Sequence, residues 1–324
     1  MKGRNAGIGI LLFLTVVICP PTISWADELS RLVSASSSTV AGPGAHRQLE
    51  TRLAGLFDIL KEVTKEGSKE RKILEGVGSI LESTAEIDFE SERTIGESLA
   101  LEGFARYGMP VKDQALQKYV NLVGVAVARN SLRPGLPYVF VVVKSPLQNA
   151  FSCPGGIIFL SAGLLKTIRT EAQLACILAH EVAHVGHKDA LKSIQRARFF
   201  QGVGKITAAT MEGKKGEQFE NMIGDLQTIL FDRGLDQNME FEADLTAMET
   251  AYRTGYSPNG IIEVLEELKR IEARSKKRGS WFSTHPPLSE RIKKCKERLR
   301  DYPDWKSMVQ LPKRFKKYSS RVPK

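Results

Sequence analysis

The stretch Thr170–His187, TEAQLACILAHEVAHVGH, decides how the rest of the chain is read. Thr170 and Gln173 make a capping-box pair, and Leu174, Ile177, Leu178 and Val182 recur at the spacing of a buried helical face, so a helix is predicted over 170–187. Within it stands His180-Glu181-Val182-Ala183-His184, an HExxH pattern. Two histidines four apart lie on one helix face roughly 6 Å apart along the axis, so both imidazoles can converge on one ion. That is the spacing of a zinc clamp. Glu181 leaves the flank of the same turn, poorly placed as a third ligand but well placed as a general base towards activated water. The pattern fixes only three positions and also occurs in helices that carry two solvated histidines, so the surrounding chemistry has to decide.

A site with two histidines needs a third ligand, and the acidic cluster in Asn238–Asp244, NMEFEAD, offers one. Glu240 and Asp244 are four apart and share a helix face. Glu240 can then bind the metal while Asp244 accepts the outer N–H of a zinc-bound imidazole and fixes its tautomer. The alternative is that Asp244 only caps or pairs within its own helix. Glu242 points elsewhere and belongs to a charge network. The longer metzincin motif is absent, because Gly186 comes one residue early and Ala190 occupies the place of its third histidine. His187, one turn beyond His184, is turned away from the metal. Further on, His285 in Ser283-Thr284-His285-Pro286-Pro287 sits on a proline-restrained loop that Arg291 of the following helix can hold. It has three readings: a plug in the fourth zinc position, a stabiliser of an oxyanion, or a cap on the final helix.

The 324 residues, 42% hydrophobic and 26% charged, suffice for one large domain or two smaller ones. Lys2 and Arg4 precede an apolar run from Ile8 to Cys19, and Ser24-Trp25-Ala26 offers small residues at a cleavage site. We read residues 1–26 as a secretory signal peptide; an uncleaved anchor is the alternative, disfavoured because the run is short for a membrane span. Ile18 argues against lipid attachment at Cys19. Cleavage leaves Cys153, Cys176 and Cys295, an odd number that implies no disulfide framework, and Cys176 reads as a buried apolar filler. It also removes two positive charges from a net charge of +10. Between Lys306 and Lys324 stand seven basic residues and no acid. This tail is either solvated or in peripheral contact with an anionic membrane or envelope polymer. Nothing resembles a nucleic-acid module, so no nucleic-acid partner is expected.

In chain order, a Ser/Ala/Gly leader over 35–44 is followed by helical spacing from 47 to 83, then by helices over 89–108 and 111–130. Tyr138–Val143 is the clearest strand, and Ile157–Leu160, after the turn Pro154-Gly155-Gly156, is a second, read as an edge strand along the cleft. Gly202–Gly216, with four glycines and a lysine patch, reads as a loop, either a lid or a plain surface segment. Helices follow over 238–254, 261–274 and 289–299. The organisation expected is a signal peptide (1–26), an N-terminal linker and helices (27–88), a catalytic domain (89–300) and a basic C-terminal tail (301–324). The fold class expected is α+β, mainly helical, with a small β-sheet beside the HExxH helix.

Four separated blocks then match one family in order: Asn149-Ala150-Phe151 with Pro154-Gly155-Gly156, the HExxH motif, Glu240-Phe241-Glu242-Ala243-Asp244, and Ser283-Thr284-His285-Pro286 with Arg291. The chain resembles the gluzincin zinc metallopeptidases of the CAAX-prenyl-protease family, and within it the soluble periplasmic BepA-like, Oma-like and HtpX-like catalytic domains. The resemblance implies one zinc per chain held by His180, His184 and Glu240, with Glu181 as base and His285 near the open coordination position. Two residues depart from the pattern: Cys153 replaces the usual apolar residue before the Pro-Gly-Gly turn, and Asp189 stands where several members carry a further histidine. Two functions follow from these readings. One is a zinc endopeptidase of the cell envelope that degrades unfolded or misassembled proteins; the other is a chaperone or assembly factor with little proteolysis.

Overall fold

A computed structural model describes residues 87–200, 215–274 and 288–323. The signal peptide, the leader, the helices expected over 47–83, most of the Gly202–Gly216 segment and the His285 loop lie outside the described residues. Among the described residues no helix is long and apolar enough to cross a membrane.

The expected α+β class holds, with helices around a three-stranded sheet among the described residues. Strand β1 (Val139–Val143) pairs parallel with β3 (Ile157–Ser161), and β2 (Ala150–Cys153) pairs antiparallel with the other side of β3. This corrects the expectation that 157–160 forms the edge. β3 is the central strand, and β2, not foreseen as a strand, is an edge. The Pro154-Gly155-Gly156 turn, with Gly155 at φ 78°, folds the four residues of β2 back on β3, and so short a strand shows no readable periodicity.

Both faces of the sheet are covered, which explains why β1 reads VFVVV without polar alternation. Phe140, Val142, Ile158 and Leu160 join the larger core with α2 (Gln114–Ala128), while Val141, Phe151 and Phe159 join a second core with Leu99 and Phe104 of α1 (Phe89–Tyr107). α1 also presses on the turn before β3. A Cβ on Gly96 would stand 1.8 Å from the Pro154 carbonyl oxygen, so only glycine lets the helix approach this closely.

The HExxH helix, α4 (Glu171–His187), follows the short α3 (Ala162–Thr167). Its start is as expected, with the Gln173 N–H donating to Thr170 Oγ1 at 3.2 Å and the Thr170 N–H donating to Gln173 Oε1 at 3.1 Å. The helix is buried all round from Glu171 to Val185, a central rod rather than an amphipathic one. Lys188 ends it in the left-handed region (φ 57°), and α5 (Asp189–Phe200) begins at once. After α6 (Lys215–Gln227) and a π-helical turn at Thr228–Arg233, α7 (Gln237–Arg253) packs along α4, and α8 (Asn259–Arg274) and α9 (Leu288–Arg298) close the far side.

The basic C-terminus is not a solvated tail. It forms α10 (Pro312–Ser319), with Phe315 and Val322 buried and the Tyr318 ring stacked on Tyr119 of α2 at 4.2 Å. Three apolar anchors outweigh the charge run, because the lysines between them point to water while the anchors dock.

Candidate metal centre

Helix geometry brings the sequence-predicted residues together. His180 and His184 project from one face of α4 towards α7, which offers Glu240 from its first turn and Asp244 one turn later. His180 Nε2 lies 3.1 Å from His184 Nε2 and 3.6 Å from Glu240 Oε2, and His184 Nε2 lies 3.4 Å from Glu240 Oε1. All three residues are buried. Ligands bound to zinc at 2.0–2.1 Å with tetrahedral angles stand about 3.3 Å apart. The three ligand atoms are therefore spaced for one such ion, and the donor set of two imidazoles and a carboxylate suits it.

The outer ring nitrogens face carboxylates. His180 Nδ1 is 3.0 Å from Asp244 Oδ1, and His184 Nδ1 is 2.7 Å from Asp189 Oδ2. Arg291, fully buried, donates from Nε and Nη2 to the two Asp244 oxygens at 2.7 Å each and places Nη1 2.9 Å from Glu240 Oε2. It thus braces a ligand and a ligand's partner at once. Glu242 is exposed, and His187 faces Thr246, with Nε2 3.3 Å from its hydroxyl. His285 lies outside the described residues.

Glu181, Asp189, Glu240 and Asp244 are four carboxylates at most 1% exposed, and among the described residues Arg291 is the permanent cation set against them. Burial alone would lower the histidine pKa values, yet Asp189 and Glu240 raise His184 to about 10, and Asp244 and Glu240 raise His180. The cluster favours positive charge at its centre, as a divalent-cation site must. Glu181 differs. Burial pushes its carboxyl above the ordinary range, against the pull of His180 and His184 and of the Ser152 hydroxyl beside it. A buried carboxylate with raised proton affinity beside a cation site has the properties of a general base.

Sequence reasoning missed two parts of this centre. Asp189 was noted only as a departure, because its approach to His184 depends on the left-handed turn at Lys188. The other is Glu92 of α1, buried, which accepts from both Arg133 Nη atoms (2.9 and 2.8 Å) and from the Gly155 N–H (3.1 Å), while Arg133 Nη1 also donates to the Val185 carbonyl at 3.1 Å. This pair ties the turn after β2 to the end of α4. No spacing links residues so far apart in the chain. Ser152, Cys153, His184, Asp189 and Leu230 line a small cleft beside the cluster. Burial and the nearby Glu181 push the Cys153 thiol up, so it stays protonated and unreactive.

Comparisons with known proteins agree with this geometry. The signature of peptidase family M48 matches residues 114–299, from α2 through the end of α9. The mitochondrial metalloendopeptidase OMA1 of Schizosaccharomyces pombe is 26% identical over 220 residues, 66% of this chain and 63% of that protein. A putative beta-barrel assembly-enhancing protease of Vibrio cholerae is 26% identical over 242 residues, 72% of this chain and 49% of its own. The OMA1 of Saccharomyces cerevisiae is 28% identical over 173 residues, 50% and 47% of the two chains. The chain spans about half to three-fifths of the length of these curated relatives.

Proposed function

The chain belongs to peptidase family M48, and from that membership and the geometry of its buried cluster we propose that it is a zinc-dependent endopeptidase of the cell envelope that cleaves unfolded or misassembled proteins. One observation carries the reading: His180 Nε2, His184 Nε2 and Glu240 stand 3.1–3.6 Å apart, with Glu181 on the adjoining flank. His180, His184 and Glu240 would hold one zinc ion. Bound there, zinc supplies Lewis acidity towards water and a peptide carbonyl. Glu181 takes the proton from the attacking water and passes it to the leaving amine, a role suited to its raised proton affinity. Arg291 and Asp244 keep Glu240 and His180 in register while this happens.

Substrate class follows from the sheet. Edge strand β2 ends at Ser152 and Cys153, beside Glu181, and an extended segment pairing along it would be held by its backbone with weak side-chain preference. That suits unfolded clients. Export rests on the sequence reading of 1–26 and fits relatives named for beta-barrel assembly. Exposed Lys306, Lys313, Lys316 and Lys317 support peripheral contact with an anionic surface.

The test compares casein degradation by the purified chain and by Glu181→Gln, with zinc measured in both. Cleavage by the wild type alone is expected; equal cleavage by both overturns the assignment of the base. A wild type that prevents client aggregation but cleaves nothing moves the reading to a chaperone or assembly factor. Proteomic comparison of an envelope extract incubated with the two proteins then identifies substrates.

A further inference from the structure

The two imidazoles of the cluster are held by different carboxylates in different surroundings. Asp244, on the His180 side, is matched by two N–H groups of Arg291. Asp189, on the His184 side, has no guanidinium or ammonium against it among the described residues: its ion-pair contacts are His184 Nδ1 at 2.7 Å and His187 Nδ1 at 3.8 Å. It is 1% exposed. The shorter of its two contacts is the one to His184, so the Asp189 carboxylate is directed first at that imidazole.

Its position is built by the backbone. In an unbroken helix a residue five positions after His184 would be turned about 140° away from it. Lys188 breaks the helix with φ 57° and ψ 37°, its N–H reaching back to the His184 and Val185 carbonyls, and the chain re-enters a helix at Asp189. A non-glycine residue in the left-handed region is strained and persists where the surroundings demand it. Here the reversal brings Asp189 back over the imidazole. Accepting a hydrogen from Nδ1 fixes the tautomer that leaves the Nε2 lone pair facing His180 Nε2 and Glu240.

We propose that Asp189 is a positioning residue for the metal: it orients His184 and strengthens it as a donor, so that affinity for a divalent cation depends on this carboxylate. The proposal rests on the reading of His180, His184 and Glu240 as a zinc site. Asp189 has no contact with substrate in this role and acts only through His184.

The experiment uses the full chain and Zn²⁺ in competition with a chromophoric chelator, comparing wild type, Asp189→Ala and Asp189→Asn. Loss of such an outer partner lowers metal affinity about 10–100-fold, the change expected for Asp189→Ala. Asp189→Asn keeps an acceptor without the charge and should fall between that variant and the wild type. Replacement of zinc by Co²⁺ adds a signature that a merely structural role would not move: the visible bands shift in Asp189→Ala because the His184 ring is freed. Wild-type affinity and an unshifted spectrum in Asp189→Ala overturn the proposal. If that variant does not fold, the near-isosteric Asp189→Asn decides, and wild-type affinity there overturns it equally. A wild type that takes up no zinc overturns the reading of the site itself, whereas zinc-loaded wild type with unaffected variants overturns only the role of Asp189.

Discussion

At its N-terminal end α4 presents Glu171 to Tyr119, Tyr256 and Arg314; at its other end it presents two histidines to Glu240, Asp244 and Asp189, with Arg291 behind them. Each end is a buried polar cluster with one arginine, and the helix dipole suits both, favouring negative charge at the start and positive charge near the finish. They differ in closure. Glu171 is one carboxylate that accepts from Tyr119 Oη at 2.9 Å, Tyr256 Oη at 2.6 Å and the Arg314 guanidinium, so its charge and its oxygens are accounted for. The metal end gathers four carboxylates around two imidazoles with ligand atoms spaced for an ion. A closed cluster holds a fold together; a cluster with excess charge and a shared focus is shaped for a guest.

If that contrast is right, substitutions at the metal end change function and those at the other end change stability. The largest effect is expected from Glu240→Ala. Two imidazoles alone hold zinc weakly, so the purified variant should contain far less than one zinc per chain and cleave no casein. Undiminished zinc would mean that Glu240 is not the third ligand. Next comes Glu181→Gln, which keeps every ligand and loses the base: zinc near one per chain, with activity down about 10²–10⁴-fold. Full activity in this variant would erase the distinction between holding the metal and using it.

Much of the metal end was legible because it is local. His180 and His184, like Glu240 and Asp244, are i and i+4 pairs, and the capping box and apolar spacing announced the helix that carries the first pair. The three-residue spacing of Phe315 and Tyr318 was also there to be read, but the lysines around it dominated the composition. Contacts that depend on an unusual backbone angle or on distant partners were not legible. Asp189 needs the turn at Lys188, and Glu92 meets Gly155 only because Gly96 lets α1 approach the Pro154 carbonyl. Glu171 lay in plain sight at the first position of the helix, yet its partners come from α2, the turn between α7 and α8, and α10.

At the closed end, Glu171→Ala removes the acceptor of two tyrosine hydroxyls and a guanidinium. We expect a loss of about 3 kcal/mol in stability, read as a lower urea midpoint, with zinc content unchanged. Zinc lost in proportion to stability would mean the two ends are not separable.

The smallest effect, and the sharpest, belongs to Arg314→Ala. Arg314 is 52% exposed while Glu171 is fully buried, so solvent screens part of the pair and both tyrosines keep donating after the arginine is gone. About 1–2 kcal/mol should be lost at pH 7. The dependence on pH tells whether the charge is responsible. Burial alone would raise the Glu171 pKa, but the hydrogen bonds from Arg314, Tyr256 and Tyr119 outweigh it and hold the carboxyl below the usual range. A carboxyl depressed in the folded state contributes stability that is full above its unfolded value, roughly 4.3, and is lost as pH falls through the folded one. The gap between wild type and Arg314→Ala in urea midpoints should therefore be complete from pH 7 down to about 5 and close as pH falls below about 4. A gap that stays constant across this range would assign the contribution of α10 to the docking of Phe315 and Tyr318, leaving the arginine no part in fixing the start of the HExxH helix.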